Sequence, residues 1–263
     1  MKICMIGDSH LAMMMEAAKA YSKSECDITA VTWPRQFEDQ FSYQGSQLMA
    51  MGPELAAFWK SGGYSDRIEL TKFDKIVFVS HTVTMFNIFN ILRDHVVSDW
   101  NGGALVVEAV NSLNAPPNRR RLLTSAAFHE CLKGIITSNY AFRIAAEARA
   151  HCAVPICVLP APFLAEGTLT HRPNLNGLKR ILNRKDGANL ARAYNDAHVA
   201  AFADVTDVTV VPQPAETITR ACLTKEDYRV GATKFGTDDL HRADDVMHAG
   251  PLMGQLLLKD ILA

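Results

Sequence analysis

The sequence predicts an α/β protein built on a doubly wound, mainly parallel sheet of five or six strands between layers of helices. Short apolar runs rich in β-branched residues alternate with longer segments in which apolar residues recur at helical spacing. Nearly every position in the short runs is apolar, which is typical of strands buried on both faces of a parallel sheet. The alternation continues through all 263 residues without a repeat or a low-complexity linker, so we expect one domain over residues 1–263.

The predicted strands follow the short apolar runs in chain order. A run of this kind fits a buried helix as well as a strand, and this second interpretation stays open for the fourth of them. The predicted strands are Lys2–Ile6, Asp27–Thr32, Lys75–Ser80, Ala104–Val110, Val154–Leu159 and Val208–Val211.

The predicted helices lie between those strands and either carry apolar residues at helical spacing or are rich in alanine. Pro116 and Pro117 interrupt the pattern, and a polar, basic stretch follows later in the chain. We expect elaborated loops around residues 111–130 and 167–187, the second of which would overhang a site. The predicted helices are Leu11–Tyr21, Pro53–Trp59, Phe86–Val97, Tyr140–His151, Ala188–Phe202 and Leu252–Leu262.

The composition favours a soluble globular protein with neither a nucleic-acid nor a membrane partner. Hydrophobic residues make up 48% of the chain and charged residues 21%, and the formal net charge is −1. A net charge this small produces no field that attracts nucleic acid or an anionic membrane surface. No apolar stretch approaches the length that spans a bilayer, and the first strand does not resemble a secretory signal. We expect a cytoplasmic protein of undetermined oligomeric state.

The six cysteines are scattered through the chain, and no two form a C-x-x-C pair. This pattern favours buried thiols in a reducing compartment over a disulfide framework. His129 and Glu130 lie beside a cysteine but lack a second histidine at the helical spacing of zinc ligands. We therefore expect no metal and no cofactor.

The first strand runs directly into Gly7-Asp8-Ser9-His10, a turn that leads into a helix. A serine at this turn lies at the carboxyl edge of the sheet, where the free amides and the positive dipole end of a helix stabilise a developing oxyanion. This is the position that an acyl-transfer nucleophile needs. Asp8 or Ser9 can equally be an ordinary helix cap, and the motif alone does not decide between the two.

A serine nucleophile needs a base, and the base needs a group that orients it. Asp245 and His248 form an Asp-x-x-His pair just before the last predicted helix. In a loop, this spacing lets the carboxylate reach one ring nitrogen while the other faces the nucleophile. Asp238 and His241 form the same pair seven residues upstream. We prefer Asp245 and His248 because the final helix follows them almost at once.

The two end motifs together resemble the first and last blocks of the SGNH/GDSL hydrolase family. The resemblance covers most of the chain in architecture but only these two short blocks in sequence. It implies a flavodoxin-like, three-layer fold in which Ser9 is the nucleophile, His248 the general base and then acid, and Asp245 the group that orients it. The form Gly-Asp-Ser-His, which ends here in His10, is also similar to the branch that adds or removes O-acetyl groups on carbohydrates. His10 itself is expected to be structural or to face the substrate.

The family's middle blocks, which complete the oxyanion hole, match less well. The family places a glycine after its second strand, and Gly45 matches it, although an ordinary turn glycine is as good an interpretation. The family's Gly-x-Asn-Asp is absent, and the third strand instead ends in Ser80-His81. His81 or Ser80 would then donate in place of asparagine, since an oxyanion hole needs donors rather than one residue type. The resemblance thus implies an oxyanion hole formed by Ser9, Gly45 and His81.

These expectations together predict a serine esterase that works through an acyl-enzyme on a small-molecule or carbohydrate ester. Water as the second acceptor makes an esterase, and a sugar hydroxyl makes an O-acyltransferase. The missing Gly-x-Asn-Asp favours a third interpretation, a carbohydrate-binding or scaffold relative that kept the fold and lost catalysis. The sequence leaves all three open.

Overall fold

A computed structural model describes residues 1–33, 35–37, 40–80, 83–111 and 121–263 of the chain. The fold is α/β, with a five-stranded, all-parallel sheet flanked by helices, as the sequence predicts. The strands of the described residues are β1 Lys2–Gly7, β2 Asp27–Thr32, β3 Phe41–Gln44, β4 Gln47–Ala50, β5 Arg67–Glu69, β6 Lys75–Val79, β7 His95–Val97, β8 Arg121–Leu123, β9 Ile156–Leu159, β10 Val208–Val210, β11 Ile218–Thr219 and β12 Leu223–Thr224.

The order of strands in the main sheet is β10-β9-β6-β1-β2. From β1 the chain first adds β2 on one side and later adds β6 on the other, so β1 and β6 flank the topological switch point of the sheet. In open sheets of this kind, ligands bind beyond the carboxyl ends of the strands at that point. Residues 8–9, which follow β1, and Ser80, which follows β6, both lie there, because Gly7 pairs with Val79.

The helices lie on both faces of this sheet. In the part of the chain that the structure describes, three small sheets (β3-β4-β5, β7-β8 and β11-β12) lie outside it. Residues 35–37, 70–72, 215–217 and 226–228 form short 3-10 turns. The helices of the described residues are α1 Leu11–Ala18, α2 Pro53–Ser61, α3 Met85–Asp94, α4 Asn101–Asn111, α5 Ser125–Thr137, α6 Tyr140–His151, α7 Thr168–His171, α8 Asn176–Asn183, α9 Gly187–Phe202 and α10 Pro251–Leu262.

Alternate side chains of the buried strands fill two separate cores, as expected for a sheet covered on both faces. In β1, Ile3 and Met5 point into the core shared with α1 and α10. Cys4 and Ile6 point into the larger core on the other face, which includes buried residues of α5, α6 and α9. This double burial explains why the strand sequences are apolar without alternation.

Helices α1 and α10 pack closely, and each begins next to one of the two end motifs. A Cβ added at Gly254 of α10 would lie 2.2 Å from the carbonyl oxygen of Met13 in α1. Only glycine permits this approach of the two backbones. The turn before α1 carries Ser9 and the loop before α10 carries His248, so the helix contact sets the relative position of both.

Two of the sequence expectations about secondary structure are wrong. The run Ala104–Val110 belongs to helix α4, whose first amides, those of Asn101 and Gly102, donate to the carboxylate of Asp186 at 2.9 Å. This capping of the helix start favours the helix over a strand. The stretches around 111–130 and 167–187 are not simply loops, since α5 occupies part of the first, and α7 and α8 lie in the second. Residues 112–120, with both prolines, lie outside the described part of the chain.

The described part of the chain contains no helix long and apolar enough to cross a membrane. All six cysteines are free thiols, and all except Cys131 are buried.

Candidate active site

Ser9 is exposed at the carboxyl end of β1, in the turn that leads into α1. The chain needs glycine just before this turn, because a Cβ at Gly7 would lie 2.8 Å from the carbonyl oxygen of Val79 on the neighbouring strand. Among the described residues, none accepts a hydrogen bond from the amide of Ser9. The serine thus presents both a reachable hydroxyl and a free N–H donor on the same residue.

The structure brings Ser9, His248 and Asp245 together in one hydrogen-bonded line. Ser9 Oγ lies 2.7 Å from Nε2 of His248, and Nδ1 of the same ring lies 2.7 Å from Oδ2 of Asp245. The other carboxylate oxygen accepts the backbone amides of Met247 at 2.7 Å and of His248 at 3.1 Å. When Nδ1–H donates a hydrogen bond to the carboxylate, His248 presents the lone pair of Nε2 to the serine hydroxyl.

The charges around this line suit a neutral base beside an ionised carboxylate. Burial alone would raise the pKa of Asp245, but the amides of Met247 and His248 and the His248 ring outweigh it and lower the pKa to about 2. Burial and the neighbouring His10 lower the pKa of His248, against the opposing effect of Asp245. His248 is therefore neutral at pH 7 and can take a proton from Ser9.

His241, from the rival pair, contacts the same carboxylate rather than Asp238. Its Nδ1 lies 3.1 Å from Oδ2 of Asp245, and its ring stacks on that of His248 with centroids 3.7 Å apart. Asp238 is exposed and lines a separate cavity beside α1. The geometry thus favours Asp245 and His248 over Asp238 and His241, and leaves His241 as a second imidazole at the same aspartate.

Ligand atoms of His241, Asp245 and His248 lie within 4.8 Å of one another, which is close enough to hold a metal ion. The two rings are nearly parallel, however, with 11° between their planes. The lone pairs of stacked, parallel imidazoles do not converge on one point, so a shared metal would require one ring to turn. In the arrangement present, the His248 ring is hydrogen-bonded to the carboxylate and the His241 ring lies in close contact with it.

His10 is buried behind this line and contacts both end motifs. Its Nδ1 lies 2.9 Å from Oδ1 of Asp8 and its Nε2 lies 3.3 Å from the carbonyl oxygen of Met247. The ring also stacks on His248, with 4.8 Å between centroids. Of the two roles that the sequence leaves for His10, structural or facing the substrate, these contacts favour the structural one.

Ser80 ends β6 beside the serine turn in an unusual state. Its backbone is left-handed, with φ of 62°, and the residue is only 3% exposed. No described residue makes a hydrogen bond with its Oγ. A strained backbone and an unpaired buried hydroxyl are each costly, and such features concentrate at functional sites. His81, the other candidate donor, lies outside the described residues.

Gly45 lies in the turn between β3 and β4, with φ of 57°. The next residue, Ser46, accepts the amide of Leu70, which lies in the turn that precedes the amino end of β6. In the same hairpin the ring of Tyr43 stacks on His151, at the end of α6 and before β9. These neighbours lie toward the amino edge of the sheet, whereas Ser9 lies at the carboxyl edge. We therefore do not include Gly45 in an oxyanion hole.

A cavity of about 290 Å³ adjoins the orienting carboxylate. Phe86 and Met247 provide apolar walls, and Arg172 and Lys234 provide positive charge. The cavity is lined by Asp245 and His241 but not by Ser9 or His248, so it adjoins the carboxylate end of the hydrogen-bonded line. The sequence motifs gave no sign of this cavity, because its lining comes from segments far apart in the chain.

No family model matches the chain, and no curated protein matches it either. The contacts that sequence reasoning missed are those of the Met247 carbonyl and of His241 with Asp245. The only signal for the second was that His241 and His248 stand four residues before and three residues after the same aspartate.

Proposed function

We propose that the chain is a serine-dependent hydrolase that cleaves ester bonds through an acyl-enzyme on Ser9. One observation carries the proposal: Ser9 Oγ, the His248 ring and the Asp245 carboxylate form a continuous line with both contacts at 2.7 Å. Nucleophile, base and orienting carboxylate in hydrogen-bond reach are the geometric signature of acyl transfer on many unrelated folds.

In the proposed reaction, Ser9 Oγ attacks the acyl carbon while its proton passes to Nε2 of His248. The oxyanion that forms accepts a hydrogen bond from the free amide of Ser9, next to the start of α1. His248 then gives the proton to the departing alcohol as the ester bond breaks. Water repeats the sequence on the acyl-serine and releases the acid. Asp245 stays ionised throughout and holds the imidazole in one tautomer.

The substrate class that we favour is an O-acyl group on a carbohydrate. The resemblance of Gly7-Asp8-Ser9-His10 to one branch of the SGNH/GDSL family motivates it. The cavity beside Asp245, with Phe86 and two positive side chains, suits a polar molecule that extends away from the reacting ester. A sugar hydroxyl in place of water would make the same chemistry a transfer.

Labelling with a fluorophosphonate and turnover of p-nitrophenyl acetate test the proposal. We expect the wild-type chain to be modified at Ser9, and Ser9→Ala to lose both labelling and turnover by at least about a thousandfold. Ser61→Ala is a matched control, because Ser61 is also exposed and its hydroxyl bonds only the nearby carbonyl of Phe58.

If the wild-type chain is not labelled and Ser9→Ala turns over the ester as fast as wild type, the proposed hydrolase is wrong. A folded chain that binds oligosaccharide without reacting would support the scaffold relative. Faster release of p-nitrophenol when a free sugar is added, with formation of the acylated sugar, would identify a transferase instead.

A further inference from the structure

Both ring nitrogens of His10 face hydrogen-bond acceptors. Nδ1 lies 2.9 Å from Oδ1 of Asp8, and Nε2 lies 3.3 Å from the carbonyl oxygen of Met247. The side chain is 5% exposed, so water does not compete for either nitrogen. The same oxygen of Asp8 also accepts the backbone amide of His10, at 3.0 Å.

A neutral imidazole has one N–H and one lone pair, and neither tautomer fits these contacts. With the proton on Nδ1, the lone pair of Nε2 faces that of the Met247 carbonyl. With the proton on Nε2, the lone pair of Nδ1 faces the Asp8 carboxylate. Only the doubly protonated ring donates to both acceptors, and the carboxylate of Asp8 neutralises its charge.

We propose that His10 is a buried imidazolium that ties the turn carrying the nucleophile to the loop carrying the base. One hydrogen bond reaches Asp8, next to Ser9, and the other reaches Met247, next to His248. His10 is thus a positioning residue, and its catalytic significance rests on the proposed hydrolase function. It acts through its neighbours and does not touch the reacting atoms.

The charged groups that face His10 are consistent with this state. Burial alone would lower the pKa of His10. The hydrogen bond and charge of Asp8, the Met247 carbonyl and the charge of Asp245 outweigh burial, so the pKa of His10 is raised above its ordinary value. The ring of His248 stacks directly on that of His10, and the ring of His241 stacks on that of His248. A cation at His10 disfavours a second one at His248, which keeps the proposed base neutral at lower pH.

Nitrogen NMR on the ¹⁵N-histidine-labelled full chain tests the protonation state without any enzyme assay. At pH 7 to 8 we expect both ring nitrogens of His10 to be protonated and His248 to carry its proton on Nδ1 alone. The signals are assigned by their loss in His10→Gln and His248→Gln. A wild-type His10 with one unprotonated nitrogen at pH 7 overturns the proposal.

His10→Gln tests the link to His248, because the amide keeps one donor and removes the charge. We expect the ring of His248 to titrate at higher pH than in wild type, and the acidic limb of kcat/KM to move the same way. Asp8→Asn, which removes the counter-charge, should let His10 lose its second proton within the neutral range. His171→Gln, at an exposed histidine of α7, is the control and should shift neither.

An unchanged titration of His248 in folded His10→Gln would contradict the proposed link. A wild-type chain that contains doubly protonated His10 but hydrolyses no ester would refute the hydrolase and leave the imidazolium in place. The two failures are therefore distinguishable.

Discussion

At the scale of single residues, two imidazoles compete for the role of base at Asp245. His248 has both required contacts, one to Ser9 Oγ and one to the carboxylate, whereas His241 has only the contact to the carboxylate. We expect His248→Gln to reduce kcat for ester hydrolysis by about a thousandfold or more, since the serine loses its proton acceptor. His241→Gln should cost less than about tenfold. It removes a stacking neighbour of His248 and one contact to Asp245, but the amides of Met247 and His248 and the His248 ring still bond that carboxylate. Parallel kinetics of both variants on p-nitrophenyl acetate measure the difference.

The pH dependence of the same reaction gives a second check on that assignment. Because burial and His10 lower the pKa of His248, kcat/KM should rise with pH through a single ionisation below 6.5 and then level off. A larger loss of activity in His241→Gln than in His248→Gln would reverse the assignment.

Part of this site could be predicted from the sequence, because it depends on short motifs next to predictable elements. Ser9 follows a strand and His248 precedes a helix, and parallel strands bring such segments to one edge of the sheet. Gly45 was not predictable in the same way, since a hairpin outside the main sheet can place its turn at either edge. The state of His10 depends on the Met247 carbonyl, far along the chain, which no local pattern reveals.

At the scale of elements, the contact between α1 and α10 fixes the distance between nucleophile and base. In Gly254→Ala the new methyl would lie 2.2 Å from the Met13 carbonyl oxygen and 2.9 Å from Cβ of Ala17, so the helices must separate. We expect a loss of about 1–3 kcal/mol in the free energy of unfolding, as for other overpacked contacts. Since α10 begins three residues after His248, kcat should fall as well.

Gly134→Ala in α5 is the matched control, because nothing lies within 4 Å of the added methyl. There the gain in helix propensity should stabilise the chain by up to about 1 kcal/mol. Urea unfolding of the two variants gives both values. Equal stability of Gly254→Ala and wild type would show that the helices tolerate a wider spacing.

The five strands of the main sheet are confirmed. The three central strands β1, β6 and β9 are buried almost throughout, which makes their sequences apolar. The edge strands β2 and β10 are only partly buried, but they are rich in β-branched residues. The strand predicted at Ala104–Val110 is wrong, and these residues lie in α4. Asp186 caps the start of this helix from about 85 residues further along the chain, and a local sequence pattern does not reveal that contact. The small strands β3 to β5 escaped prediction because they are short and only partly buried.

At the scale of the whole molecule, the larger core contains a histidine that makes the fold sensitive to acid. His198 in α9 is fully buried, its Nδ1 bonds the Tyr194 carbonyl, and no described residue bonds its Nε2. Burial lowers the pKa of His198 to about 4, against the smaller opposing effect of the carbonyl. The unfolded chain binds a proton there near pH 6.5, so it gains protons before the folded chain does.

The free energy of unfolding should therefore be fully retained above pH 6.5 and should decline as the pH falls toward 4. Its slope from His198 alone approaches about 1.4 kcal/mol per pH unit, the value for one proton. We expect His198→Met, which cannot titrate, to flatten this decline relative to wild type, even if it changes the stability at pH 7. Urea unfolding at pH 7, 6, 5 and 4.5 measures it, with exposed His171→Gln as control. The same slope in His198→Met and wild type would mean that other groups, such as His241 and His248, account for the acid sensitivity.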